Sequence, residues 1–113
     1  MIIAIPSQDN KGLESFMEEH FGRAKYFTLI EVRGNNLLRV KVLEVPWERH
    51  RIGDLPRLLM REGVELVLTD KIGWRAKEIF SQMGIEVREG YSGKIRQVLD
   101  LYLKGSLSSG NET

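Results

Sequence analysis

Cysteine is absent from the 113 residues. That gap excludes disulfide staples, thiolate nucleophiles, zinc-finger spacings and clusters ligated by the protein's own sulfur. Any metal chemistry must therefore rest on histidine, carboxylates or ligands that the metal brings with it. An excess of charge of one sign is also missing: 17 Lys and Arg stand against 16 Asp and Glu, a formal net of +1. Proteins that track a nucleic-acid backbone carry a basic surplus or stripe, so no nucleic-acid partner is expected. No apolar run approaches the ~20 residues that span a bilayer. Met1 to Ile5 is too short for a signal peptide and runs straight into Pro6. No membrane association is expected, and the expected location is cytoplasmic.

What remains is ordinary for a globular chain: 42% hydrophobic and 29% charged residues, enough for one core without staples. Ile2-Ile3-Ala4-Ile5, closed by Pro6, reads as a buried central strand. Ser7 to Gly12 is a loop, and Leu13, Phe16 and Met17 fall at helical spacing, so a short helix is expected up to His20, ended by Gly22. Two apolar runs, Tyr26 to Val32 and Leu37 to Val45, are joined by Gly34-Asn35-Asn36 and predict a β-hairpin. Alternation of Leu38, Val40 and Val42 with Arg39 and Lys41 gives the second strand one buried and one charged face, as on a protected edge.

Pro46 to Gly53 is irregular, and Asp54 caps a helix reaching Glu62, with Gly63 beyond it. Val64 to Thr69 is a second buried strand. Ile72, Ala76, Ile79, Phe80 and Met83 form a helical stripe ended by Gly84. Ile85 to Val87 is a short strand, and Ser92 caps a last helix ended by Gly105. One domain is expected over 1–105, with a flexible tail over 106–113. The order of elements implies a three-layer α/β/α fold of ribonuclease H-like topology. Its mixed five-stranded sheet has the order 3-2-1-4-5 with strand 2 antiparallel.

In open α/β sheets ligands bind beyond the carboxyl ends of strands where the winding reverses, here between the first and fourth strands. The loop carrying His20-Phe21-Gly22-Arg23 and the loop Thr69 to Arg75 should form its walls. Lys71, Arg75 and Arg23, with N–H groups at a helix start, suit an anion. A two-metal nuclease of this topology needs clustered carboxylates. Ile2 to Ile5 offers none and Asp70 stands alone, so no catalysis is expected.

Two segments carry a family resemblance: MIIAIPSQDNKG…EEHFGRAKYFTLIEV and LLMREGVELVLTDKIGWRAKEIFSQMGIEVREG. Together they resemble the dinitrogenase iron–molybdenum cofactor biosynthesis family over nearly the whole chain, up to about Gly105. The His-Phe-Gly-Arg-Ala run is the more specific part. The resemblance implies a ribonuclease H-like fold and a non-enzymatic carrier that holds an iron–sulfur or iron–molybdenum cluster transiently, with cluster-assembly proteins as partners. It assigns the metal to His20; taken with the anion argument above, the expected cofactor contacts are His20, Phe21, Gly22, Arg23, Lys71, Gly73 and Arg75. Where many relatives have Gly-Gly, this chain has Asp70-Lys71, and Trp74 stands in place of proline, which makes the loop bulkier and more charged. The alternative is a regulatory or structural interaction domain of the same fold without cargo. Local readings stand beside these. His20 is either a ligand or a helix-end residue near Phe16 and Met17, and His50 is either a second ligand or a solvated loop residue.

Overall fold

Every residue from Ile3 to Ser7 is buried, as the unbroken apolar run demands of a strand with neighbours on both sides. In the computed structural model, which describes the backbone of residues 1–112 and the side chains of 1–105, that strand is β1, Ile2–Ser7. It pairs antiparallel with β2 (Tyr26–Arg33) and parallel with β4 (Val64–Leu68). β3 (Asn36–Glu44) completes the hairpin with β2, and β5 (Glu86–Arg88) lies parallel to β4. The sheet order is β3-β2-β1-β4-β5, as the element order predicts.

Alternation along β1 divides the core between two layers. Ala4 packs with Leu55 and Leu59 of α1 (Asp54–Arg61) and Phe80 of α2 (Trp74–Gln82). Ile3 and Ile5 pack with Ile95, Val98 and Leu99 of α3 (Ile95–Glu112). Phe21 joins the first layer, its ring 5.5 Å from Phe80 in an edge-on contact and 5.3 Å from Phe27. Gly63 and Gly84, at φ +81° and +78°, end α1 and α2 in a conformation that side chains resist.

Several local expectations are corrected. The stretch Leu13 to His20 is not a helix: a single 3-10 turn, Gly12–Glu14, is followed by extended chain. Phe16 is exposed and Met17 buried, an alternation that the spacing of three apolar residues could not distinguish from a helix. Gly22 sits inside a second 3-10 turn, Phe21–Arg23, and has no positive φ. β1 continues through Pro6, whose carbonyl accepts the Glu18 N–H. Gly53, not Asp54, occupies the cap position of α1. The Asp54 carboxylate instead accepts the Arg51 N–H at 2.7 Å.

β3 buries neither face fully. Leu37 and Leu38 are exposed, and Val40 and Val42 are half-buried beneath the Gly12 turn. α3 starts at Ile95, whose N–H is bonded to the Ser15 carbonyl. It passes through Gly105 without a positive φ, because glycine weakens a helix by about 1 kcal/mol without forbidding it. The flexible tail expected over 106–113 lies outside the residues described with their side chains.

Truncating Phe80, which is fully buried, is expected to cost about 3–5 kcal/mol in urea unfolding of Phe80→Ala. Thr69 presents the opposite case, a buried hydroxyl with no hydrogen-bond partner among the described residues. Replacing such a group by an apolar isostere removes a desolvation cost, so Thr69→Val should hold or raise the melting temperature.

Candidate functional site

Residues 15–21 run across the carboxyl ends of β1 and β4 as a strap. Each crossing is a main-chain bond: Gln8 N–H to the Phe16 carbonyl (2.9 Å), Met17 N–H to Gly93 (2.8 Å) and Glu18 N–H to Pro6 (2.9 Å). At the far end Lys71 N–H reaches Glu19 (3.1 Å) and Phe21 N–H reaches Lys71 (3.0 Å). His20 thus pairs with Lys71 as a short parallel extension of the sheet. The motif and the start of α2 meet, as expected, but through backbone rather than across a gap.

The expected site residues separate around this strap. His20 is half-buried, its N–H held by the Glu18 carboxylate at 3.1 Å. Phe21 is turned into the core and anchors the strap there. Gly73 caps α2 in an extended conformation with no side-chain cap, leaving N–H groups of the first turn without a side-chain acceptor. The Arg75 guanidinium lies 5.3 Å from the centre of the Trp74 ring, which is 68% exposed.

Lys71 is not a free cation. Its ammonium donates to the Glu19 carboxylate at 2.8 Å across a sequence separation of 52. That hydrogen bond, reinforced by the Lys71 charge and then by His20, lowers the carboxyl pKa of Glu19. The same bond raises that of Lys71.

Two hollows flank the strap, each adjoining a different half of the core. The first, about 510 Å³, is lined by Gln8, Phe16, Met17, Glu19, Asp70, Ser92 and Gly93. It meets the α3 side through Met17, and its ionisable lining is acidic. The second, about 740 Å³, runs between Gly22 to Tyr26 and Glu44 to His50, and it meets the other half of the core at Ala24 and Val45. Gly22 and Arg23 belong to this second hollow. So does His50, whose Nε2 donates to the Gly22 carbonyl at 3.0 Å.

Sequence reasoning missed Glu19 as the partner of Lys71. It also missed Lys25, Trp47 and Arg49 as lining of the second hollow. The irregular run between Pro46 and Gly53, long and rich in charged and aromatic residues, was the available signal for the latter. Among the described residues, no three histidine or carboxylate groups converge as a metal site. Nor is any described helix long and apolar enough to cross a membrane.

Residues 1–105 match the family model Nitro_FeMo-Co, dinitrogenase iron-molybdenum cofactor. The protein MJ0580 of Methanocaldococcus jannaschii is 27% identical over 110 residues, spanning 95% of this chain and 89% of its own length. The crystal structure of PH0822 superposes with a TM-score of 0.86 at 39% identity, covering 93% of this chain and 92% of that one. The NMR structure of TM1290 from Thermotoga gives 0.72 at 26% identity, covering 92% and 88%.

Because Glu19 raises the pKa of Lys71, the Lys71 ammonium should hold its proton to higher pH than an ordinary lysine. The contact contributes stability below the ordinary lysine range and loses it as pH rises through the raised value. For Glu19, lowered from 4.5, the contribution is present above that value and lost as pH falls. In Glu19→Gln, side-chain NMR titration should return Lys71 to ordinary lysine behaviour with little change in melting temperature, since exposed pairs stabilise weakly.

Proposed function

The chain belongs to the dinitrogenase iron-molybdenum cofactor family, and from that premise we propose that it is a non-enzymatic carrier. Its cargo is an iron–sulfur or iron–molybdenum type cluster, received from and passed to cluster-assembly proteins. The same reading includes the ribonuclease H-like name for the fold, a domain boundary at residue 105 and a cytoplasmic location.

The observation that supports it most is the pairing of His20 with Lys71, which sets the His20-Phe21-Gly22-Arg23 motif beside the Gly73 start of α2. A chain without cysteine offers no thiolate to build a cluster. A single imidazole on a rigid strap can instead take one open metal position of a cluster that brings its other ligands, and can release it again. Arg23 and Arg75 supply positive charge toward an anionic cargo, and the α2 N–H groups at Gly73 add to it. Phe21 acts from the core by fixing the strap, and Lys71 is shared with Glu19. Hydrolysis would need clustered acids for metal ions, and Asp70 does not belong to such a group.

A second reading, an interaction domain of the same fold without cargo, draws support from that Glu19–Lys71 pair, which already neutralises one of the cations. Anaerobic reconstitution followed by visible spectroscopy and gel filtration separates the two. As a ligand, half-buried His20 should tolerate truncation: His20→Ala loses cluster uptake while its melting temperature stays within about 2 °C of wild type. Unchanged uptake with a loss of about 4–8 °C, the shift that roughly 1 kcal/mol causes in a domain of this size, would assign His20 to packing instead.

A further inference from the structure

The two hollows beside the strap differ in charge, and the difference decides which one suits an anion. The first carries Glu19 and Asp70 with no cationic lining residue. The second carries Arg23, Lys25 and Arg49 against Glu44 and Glu48. None of these five forms an ion pair among the described residues, although Lys71, Lys77, Arg88, Lys94 and Arg96 all do. Three unpaired cations therefore line one concave surface, beside the half-exposed Trp47 ring.

The walls of this hollow are tied together at both ends. At one end the Val45 N–H donates to the Lys25 carbonyl at 2.8 Å. At the other, His50 Nε2 lies 3.0 Å from the Gly22 carbonyl. A carbonyl only accepts, so Nε2 bears a proton there. The turn that follows is fixed by Asp54, which accepts the Arg51 N–H at 2.7 Å and the Arg57 guanidinium at 2.9 Å. The long loop after β3 is thus held against the back of the His20-Phe21-Gly22-Arg23 motif.

We infer that the second hollow is the seat of the anionic part of the cargo, a compact metal–sulfur dianion held by Arg23, Lys25 and Arg49, with His50 positioning the loop that carries Arg49. This rests on the carrier reading and adds to it the location and the charge-bearing residues.

A water-soluble cubane [4Fe–4S] cluster capped by four thiolates, a dianion, is the probe. It is titrated anaerobically into the isotope-labelled full chain and followed by amide and Trp47 indole NMR shifts. Expected are shifts concentrated in Gly22 to Tyr26 and Glu44 to His50. Affinity should fall at least fivefold in the Lys25→Gln/Arg49→Gln double variant, and His50→Gln should weaken binding less. Raising salt from roughly 0.05 to 0.3 M should weaken wild type more than the double variant, as screening of exposed charges requires. Melting temperatures establish that each variant is folded, and Arg49→Lys, which keeps the charge, should retain most of the affinity. Binding that shifts Lys71 to Arg75 instead, unchanged in the double variant, would overturn this assignment and leave the carrier reading standing. No shift anywhere in the wild-type chain would overturn both.

Discussion

The need to satisfy main-chain N–H and carbonyl groups at the top of the sheet shapes everything built there. β1 and β4 end in a buried region, and groups left unpaired at such a place carry a desolvation cost. Residues 15–21 meet that demand from both directions, bonding to Pro6 and Gln8 on one side and to Lys71 and Gly93 on the other. The core holds the strap in place by its ends, with Met17 entering one hydrophobic layer and Phe21 the other. The strap carries His20 and divides the open region into an acidic and a basic hollow. Without it the carboxyl edge would be one wide crevice, as topology alone suggests.

The chemistry follows from what this arrangement can and cannot present. With no thiolates and no converging trio of histidine and carboxylate groups among the described residues, nothing encloses a bare metal ion. Single imidazoles, guanidinium groups and uncapped helix N–H groups are what face solvent. On the carrier reading proposed above, such donors would suit a preassembled anionic group bound by few, exchangeable contacts.

The layered architecture was readable because its signals are local. The run Ile2 to Ile5, the Gly34 turn, the stripe of α2 and the stop signals of the helices are each legible locally, and connection rules then leave one economical order. The strap was unreadable for the complementary reason. Leu13, Phe16 and Met17 satisfy a helical period by coincidence, while the bonds that decide their conformation go to Pro6, Gln8 and Gly93, the last of which no window around them contains. The Lys71 counter-ion was hidden in the same way, 52 residues upstream. β3 was misjudged because alternation predicts a buried face only if something covers it, and at this edge only the Gly12 turn does.

The strap is also stitched to the last element of the chain. Met17 bonds to Gly93, Ser15 bonds to Ile95, and Glu14 pairs with Lys94 and Arg96. These anchors are distant in sequence: Lys94 and Arg96 lie 80 and 82 residues after Glu14. Contacts this distant in sequence form late, after the loop-closure cost has been met. The strap therefore sets late in folding, and its geometry is complete only once the start of α3 has docked against Ser15 and Met17. A chain cut short before residue 93 would lose the Gly93 and Ile95 anchors of the strap and keep only those to Pro6, Gln8 and Lys71.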